Sequence, residues 1–153
     1  MMKVRKGFTL VELLIVIVII GILAAAMLLS SGAATASAEA SNIINDLRSM
    51  KAAALMLYAD SMDDFNSGTA PTLTIALLKP YVDNPSKYDT GTAYDLTKNG
   101  NKWWVGFDNS KGKKTPEVLE KLQGRAKSVG LLKTAGDLTT AYTGGAQIWM
   151  VAR

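Results

Sequence analysis

Hydrophobic and polar residues divide this chain into three regimes. From Phe8 to Leu29 nearly every position is apolar, and no charged residue occurs between Leu13 and Ala38. The densest part, Leu13–Leu29, approaches the roughly 20 residues a helix needs to cross a bilayer, and Ala24–Ala38 continues it with small residues. From Ala38 to Asp64 the pattern changes. Ile43, Leu47, Met50, Ala54, Leu57 and Tyr58 recur at steps of three and four, which is one apolar face of an amphipathic helix. Asp46, Arg48, Lys51 and Asp60 mostly lie off that face. This helix continues the first and is expected to end near Asp63–Asn66, before the loop NSGTAP with Gly68 and Pro71.

The third regime is a series of short elements. Leu73, Ile75, Leu77 and Leu78 predict a short helix or turn that stops before Pro80. Lys102–Asp108, rich in Trp, Val and Phe and bounded by Asn/Gly clusters, predicts a strand. Its adjacent Trp103 and Trp104 would face opposite sides of a sheet: one in the core, the other packed as well or left as an exposed anchor. Packing is the favoured reading. Thr115 and Pro116 suit the N-cap and first position of a helix that turns Leu119, Leu122 and Ala126 inward. GLLKTAG at 130–136 and Gln147–Ala152 read as further strands. The fold class is α+β: a long N-terminal helix, half membrane-spanning and half amphipathic, packed against a small antiparallel sheet of three or four strands.

Charge sharpens the division. The formal net charge is +4, but Lys3, Arg5 and Lys6 precede Gly7; beyond them 14 basic and 13 acidic residues remain. The basic leader favours a cytoplasmic N-terminus. No Lys/Arg stripe with interleaved aromatics appears, so nucleic-acid binding is not indicated. The chain has no cysteine and no histidine. Disulfides, thiolate catalysis, Cys/His zinc sites and a histidine base are therefore excluded, and no nucleotide-binding loop of the form GxxxxGK[ST] occurs.

Glu12 is the anomaly, a carboxylate at the start of a membrane-length apolar run. At a helix centre such a charge costs about 2.5–3.5 kcal/mol on insertion scales. A signal peptide fits poorly because the run is too long. A plain signal anchor fits length and charge but leaves Glu12 unexplained. The stretch KGFTLVELLIVIVIIGILAA, Lys6 to about Ala26, combines a basic leader, a Gly–Phe junction, Thr-Leu-Val-Glu and an aliphatic run. It resembles the N-terminus of type IV pilins and of the pseudopilins of type II secretion systems.

That resemblance implies a structural, non-catalytic protein. Residues 1–7 would be a leader removed by prepilin peptidase between Gly7 and Phe8, with N-methylation of Phe8. Residues 8–35 would form the transmembrane and filament-core helix, and residues 36–153 the globular head, with the amphipathic helix at about 36–64. Glu12 would pair in a filament with the Phe8 amine of a neighbouring subunit and set axial register. The implied partners are further copies of the chain, the peptidase, an assembly platform with its motor ATPase, and the cytoplasmic membrane before assembly. The implied location is the bacterial inner membrane, then a periplasmic or extracellular filament. The alternatives are a major pseudopilin of a secretion system and, from another class, a membrane-anchored binding module or enzyme. Many pilins carry a proline after the apolar run; here Ser30, Ser31 and Gly32 stand instead, so a bend or melted turn is expected near Gly21–Gly32.

No cofactor and no metal site are expected. Asp83, Asp89, Asp95, Asp108 and Asp137 offer oxygen ligands but no tight calcium loop. Lys111, Lys113 and Lys114, in a Gly/Ser turn, read as a solvated loop rather than an anion site.

Overall fold

The computed structural model describes residues 7–62 and 72–153. The chain divides into two compact units, Met1–Thr35 and Ala36–Arg153. Helix α1 runs Leu10–Asp60. Helical structure continues through Gly21 and Gly32, so the melted turn expected between them is not observed. Each glycine weakens a helix by up to about 1 kcal/mol relative to alanine, and the runs Ala24–Ala26 and Ala33–Ala34 around them are the best helix formers available. The expected helix end at Asp63–Asn66 and the loop at Gly68 and Pro71 lie outside the described residues, as do Lys3, Arg5 and Lys6.

In the first unit the large apolar side chains from Phe8 to Leu28 are all exposed. Among the described residues α1 is the one helix long and apolar enough to cross a membrane. In the second unit the amphipathic pattern does what its spacing predicts. Ile43, Leu47, Met50, Ala54 and Leu57 are buried, and Tyr58 packs half-buried against them. Ala36, Ala40, Ile44 and Ala53 widen the stripe.

After α1 come two 3-10 helices, Ile75–Tyr81 and Pro85–Tyr88. The first runs through Pro80 instead of stopping before it. At the C-terminal end of so short a helix, the missing N–H removes a single bond, and the proline φ suits the 3-10 conformation. Strands β1 (Tyr94–Asn99), β2 (Lys102–Asp108) and β3 (Gln147–Val151) form one antiparallel sheet with β2 in the centre. The β1–β2 hairpin pairs Asn99 with Lys102, leaving a two-residue loop. Gly100, at φ 60°, takes its first position, where a type II′ turn calls for glycine.

Strand β1 escaped the sequence reading, and GLLKTAG forms no strand: Leu132 alone bridges to Ala141 and Trp149. Helix α2 spans Pro116–Val129, with Thr115 at its N-cap position and Gly130 closing its end at φ 80°. It buries Val118, Leu122 and Ala126, while Leu119 is only half-buried.

The inner face of the sheet adds Leu96, Trp103, Val105, Phe107, Ile148 and Met150 to the core. Trp104 lies on the other face and is also fully buried, so the exposed-anchor alternative fails. Trp149 packs there over Gly106: a Cβ at Gly106 would come within 2.5 Å of its ring. The indole N–H groups of Trp104 and Trp149 have no acceptor among the described residues.

A fragment beginning at Thr35 is expected to be soluble, monomeric and folded, because the core residues lie at Ala36 and beyond. In it Leu47→Ala should cost about 2–5 kcal/mol in urea unfolding, the range for a fully buried leucine. A cost below about 0.5 kcal/mol would place Leu47 on the surface.

Candidate functional site

The residues singled out at the N-terminus sit where the chain enters α1. Gly7, Phe8 and Thr9 are non-helical, and the helix begins at Leu10. Among the described residues, its chain neighbours aside, a Cβ added at Gly7 would meet nothing within 4 Å. Phe8 is 89% exposed.

Glu12 lies in the first helical turn. Its Oε2 accepts from the Thr9 backbone N–H at 2.8 Å and from the Thr9 hydroxyl at 2.7 Å. In return Thr9 Oγ1 accepts from the Glu12 N–H at 3.2 Å. This is a reciprocal capping box: a Thr at the N-cap and a Glu three residues on satisfy each other's orphan donors. The carboxylate also faces the positive end of the helix dipole. No bond to Oε1 occurs among the described residues. Thr9 was not picked out from the sequence, although T-L-V-E is itself the capping-box signature.

The other candidates are scattered. Asp89 pairs with Lys79 at 2.8 Å. Asp108 accepts from Ser110, and Asp137 from Thr139 and Thr140; the Ser110 and Thr139 hydroxyls hold these carboxyls below the usual range. No group of three His, Cys, Asp or Glu residues that could hold a metal occurs among the described residues. Lys111 belongs to a single helical turn, Asn109–Gly112, and Lys113 closes it at φ 48°. Lys114 Nζ reaches Glu39 at 3.0 Å, so this one of the three is not simply solvated.

A polar node in the head was also missed. Asp46, on α1, accepts from Lys87 at 2.7 Å, from Tyr88 at 3.4 Å and from the Tyr94 hydroxyl. It ties the second 3-10 helix and β1 to α1. Burial, with the negative charge of Asp46, pushes the Tyr88 hydroxyl up to about 12 and that of Tyr94 higher still. Both therefore stay protonated donors. The adjoining groove, lined by Asp46, Ser49, Lys87 and Tyr88 among others, presents no activated nucleophile. No single sequence motif marks this node, because its members lie 41 to 48 residues from Asp46.

Residues 2–28 match the prokaryotic N-terminal methylation motif, the hallmark of type IV pilins and pseudopilins. The matched stretch includes Gly7, Phe8, Thr9 and Glu12 and ends before the head begins. No curated protein and no solved structure matches the chain.

The Asp46 node yields a test with a definite sign. A tyrosine whose folded pKa is raised contributes stability that is complete below its unfolded value, near 10, and is lost as pH rises through the folded value. Tyr94→Phe should cost about 1.5–3 kcal/mol at pH 7, the range for a hydrogen bond to a charged group. The gap between wild type and variant should narrow from about pH 10 upward, because only the wild type then loses the Tyr94 contribution. Urea unfolding at pH 7 and pH 11 measures both.

Proposed function

We propose that this chain is a structural subunit of a type IV pilus-like filament, processed by prepilin peptidase and assembled through its hydrophobic N-terminal helix. One observation carries the reading. The N-terminal methylation motif at residues 2–28 coincides with a helix whose large apolar side chains are all exposed from Phe8 to Leu28. Such a surface suits lipid before assembly and neighbouring helices afterwards.

In this reading the peptidase cuts between Gly7 and Phe8. Glycine lets the extended backbone enter a narrow cleft, and no described residue beyond its chain neighbours comes within 4 Å of a Cβ placed at Gly7. Cleavage creates an ammonium on Phe8. In the filament that ammonium meets the Glu12 carboxylate of a neighbour. Thr9 fixes the carboxylate through Oε2, and Oε1, with no bond among the described residues, would take the incoming charge. The head needs no catalytic group. The subunit would wait in the cytoplasmic membrane, and separate motor ATPases would drive its addition.

Gly7→Leu should leave uncleaved precursor in the membrane, seen as a larger band and an unprocessed N-terminus. Normal mature protein from this variant would remove the cleavage assignment.

Glu12→Ala should be inserted and cleaved normally, since leader and junction are intact. Its assembly should fall sharply, because the Phe8 ammonium is then buried without a partner. Breaking one side of a buried pair costs about 3–5 kcal/mol, several hundredfold or more in subunit addition. Glu12→Gln separates the two roles of the carboxylate, since glutamine also serves in a capping box but brings no charge. It should fail as well. Filaments of normal number and length from either variant, counted by electron microscopy of sheared surface or envelope material, would overturn the pairing.

A further inference from the structure

Residues 131–142 double back on themselves as a flap. The Tyr142 N–H donates to the Leu131 carbonyl at 2.9 Å, the Lys133 N–H donates to the Thr140 carbonyl at 3.1 Å, and Leu132 bridges to Ala141 between them. The root of the flap is fastened to β3, where Leu132 and Trp149 exchange backbone bonds at 2.7 and 2.9 Å. Its tip reaches the end of β1, where Asn99 Nδ2 donates to the Ala135 carbonyl at 3.0 Å.

The strand register shows what the flap crosses. Side chains alternate along a strand. Tyr94 and Leu96 enter the core, so Thr97 and Asn99 stand on the outer face. Trp104, directly opposite Thr97, stands there too. It lies midway along β2 between Gly106, opposite Trp149, and Lys102, opposite Asn99. A flap held at Trp149 and at Asn99 therefore passes over Trp104, which is fully buried.

The latch at the tip depends on one amide. Gly136 lies so close to it that an added Cβ would collide with Asn99 Nδ2. A carboxylate in its place has no N–H to donate, and would set oxygen against the Ala135 carbonyl. The sequence makes this amide reactive. Of the seven asparagines in the chain, Asn99 alone precedes a glycine, which has no side chain to shield its nitrogen. Among the described residues the Gly100 N–H has no acceptor. Both residues are exposed to water.

We propose that Asn99 is a self-modifying site, whose spontaneous deamidation, with water as the co-reactant, releases the flap. The Gly100 nitrogen gives up its proton and attacks Asn99 Cγ. The bond from Cγ to Nδ2 breaks, and ammonia leaves with that proton, closing a five-membered imide. Water then opens the ring. Attack at Cγ gives aspartate, and attack at the main-chain carbonyl gives isoaspartate, which adds a methylene to the backbone at the end of β1. Neither product restores the donor, so the change is one-way. The latch draws the carboxamide toward Ala135, and the reaction runs from the unlatched state, which one hydrogen bond makes about fivefold rarer. This inference does not depend on the filament reading.

The full chain in detergent micelles is aged at mildly alkaline pH and mapped by mass spectrometry. Asn99 should exchange –NH2 for –OH, with isoaspartate among the products. Asn101, in the same loop, should stay intact, because Lys102 after it carries a side chain and pairs with Asn99 in the ladder. Gly136→Ala displaces the latch and should speed the loss of Asn99 about fivefold. Asn99→Asp supplies the product without ageing and reports on the flap separately. Its tryptophan emission should shift to the red and its quenching by acrylamide should rise, as Trp104 and Trp149 meet water. An unmodified Asn99, equal loss at Asn101, an unchanged rate in Gly136→Ala, or wild-type emission and quenching in Asn99→Asp would each overturn the proposal.

Discussion

The structure depends first on the fact that the leading half of α1 has no protein around it. Burying a large aliphatic or aromatic side chain is worth about 1.5–3 kcal/mol, and every described one from Phe8 to Leu28 is exposed. Such a surface fits lipid or other helices as its cover. The same constraint explains why the segment is a helix at all. Val11, Ile15, Val16, Ile17, Val18, Ile19, Ile20 and Ile22 are β-branched, and in a soluble domain such a run favours a strand. Surrounded by hydrocarbon, each unpaired backbone group costs several kcal/mol, and a lone segment satisfies them all only as a helix. In such a medium the helix wins over the strand propensity.

The head faces the opposite problem. It has no cysteine with which to close its loops, and a domain of this size exposes a large share of its surface. It borrows the second half of α1 as the centre of its core. It then fastens distant segments to that helix with polar side chains. Asp46 holds Lys87, Tyr88 and Tyr94, and Ser37 and Ser41 receive Arg125. Arg153, the last residue, stacks on the Tyr58 ring at 3.4 Å and donates to its hydroxyl. Each tie joins residues far apart in sequence, where a disulfide would otherwise be most useful.

Much of this was legible in the chain, for identifiable reasons. The stripe from Ile43 to Leu57, strands β2 and β3 and the start of α2 were readable because period and local turn chemistry agree there. Strand β1 was not, because Tyr94 and Leu96 are its only buried positions and Asp95, Thr97 and Lys98 dilute the alternation. Leu131 and Leu132 looked like a strand through composition; the glycine that ends α2 and the turn that follows leave room for one bridge. Pro80 was read as a stop by a rule that holds for α-helices and is weaker for a 3-10 turn. At the N-terminus the chemistry of Glu12 was noticed through its cost, while its hydrogen-bond partner three residues earlier was overlooked.

That partner changes the energetics of Glu12. Two donors from Thr9 replace part of the hydration a carboxylate loses on leaving water, and the position in the first turn keeps it near the edge of the apolar run. The penalty at the centre of a span is thus an upper bound for this residue. Hydrogen bonds from neutral donors do not cancel charge, however, and in a low-dielectric surrounding the uncompensated Coulomb demand grows. On the membrane-anchored reading, Thr9 would therefore make the carboxylate tolerable without satisfying it. On the filament reading that residual demand is the useful part: the subunit can wait as a monomer, yet its most favourable state still requires an ammonium from another chain. A leucine at this position would insert more easily and have no such preference among registers; a glutamate without its threonine would carry the same demand at a higher cost while waiting.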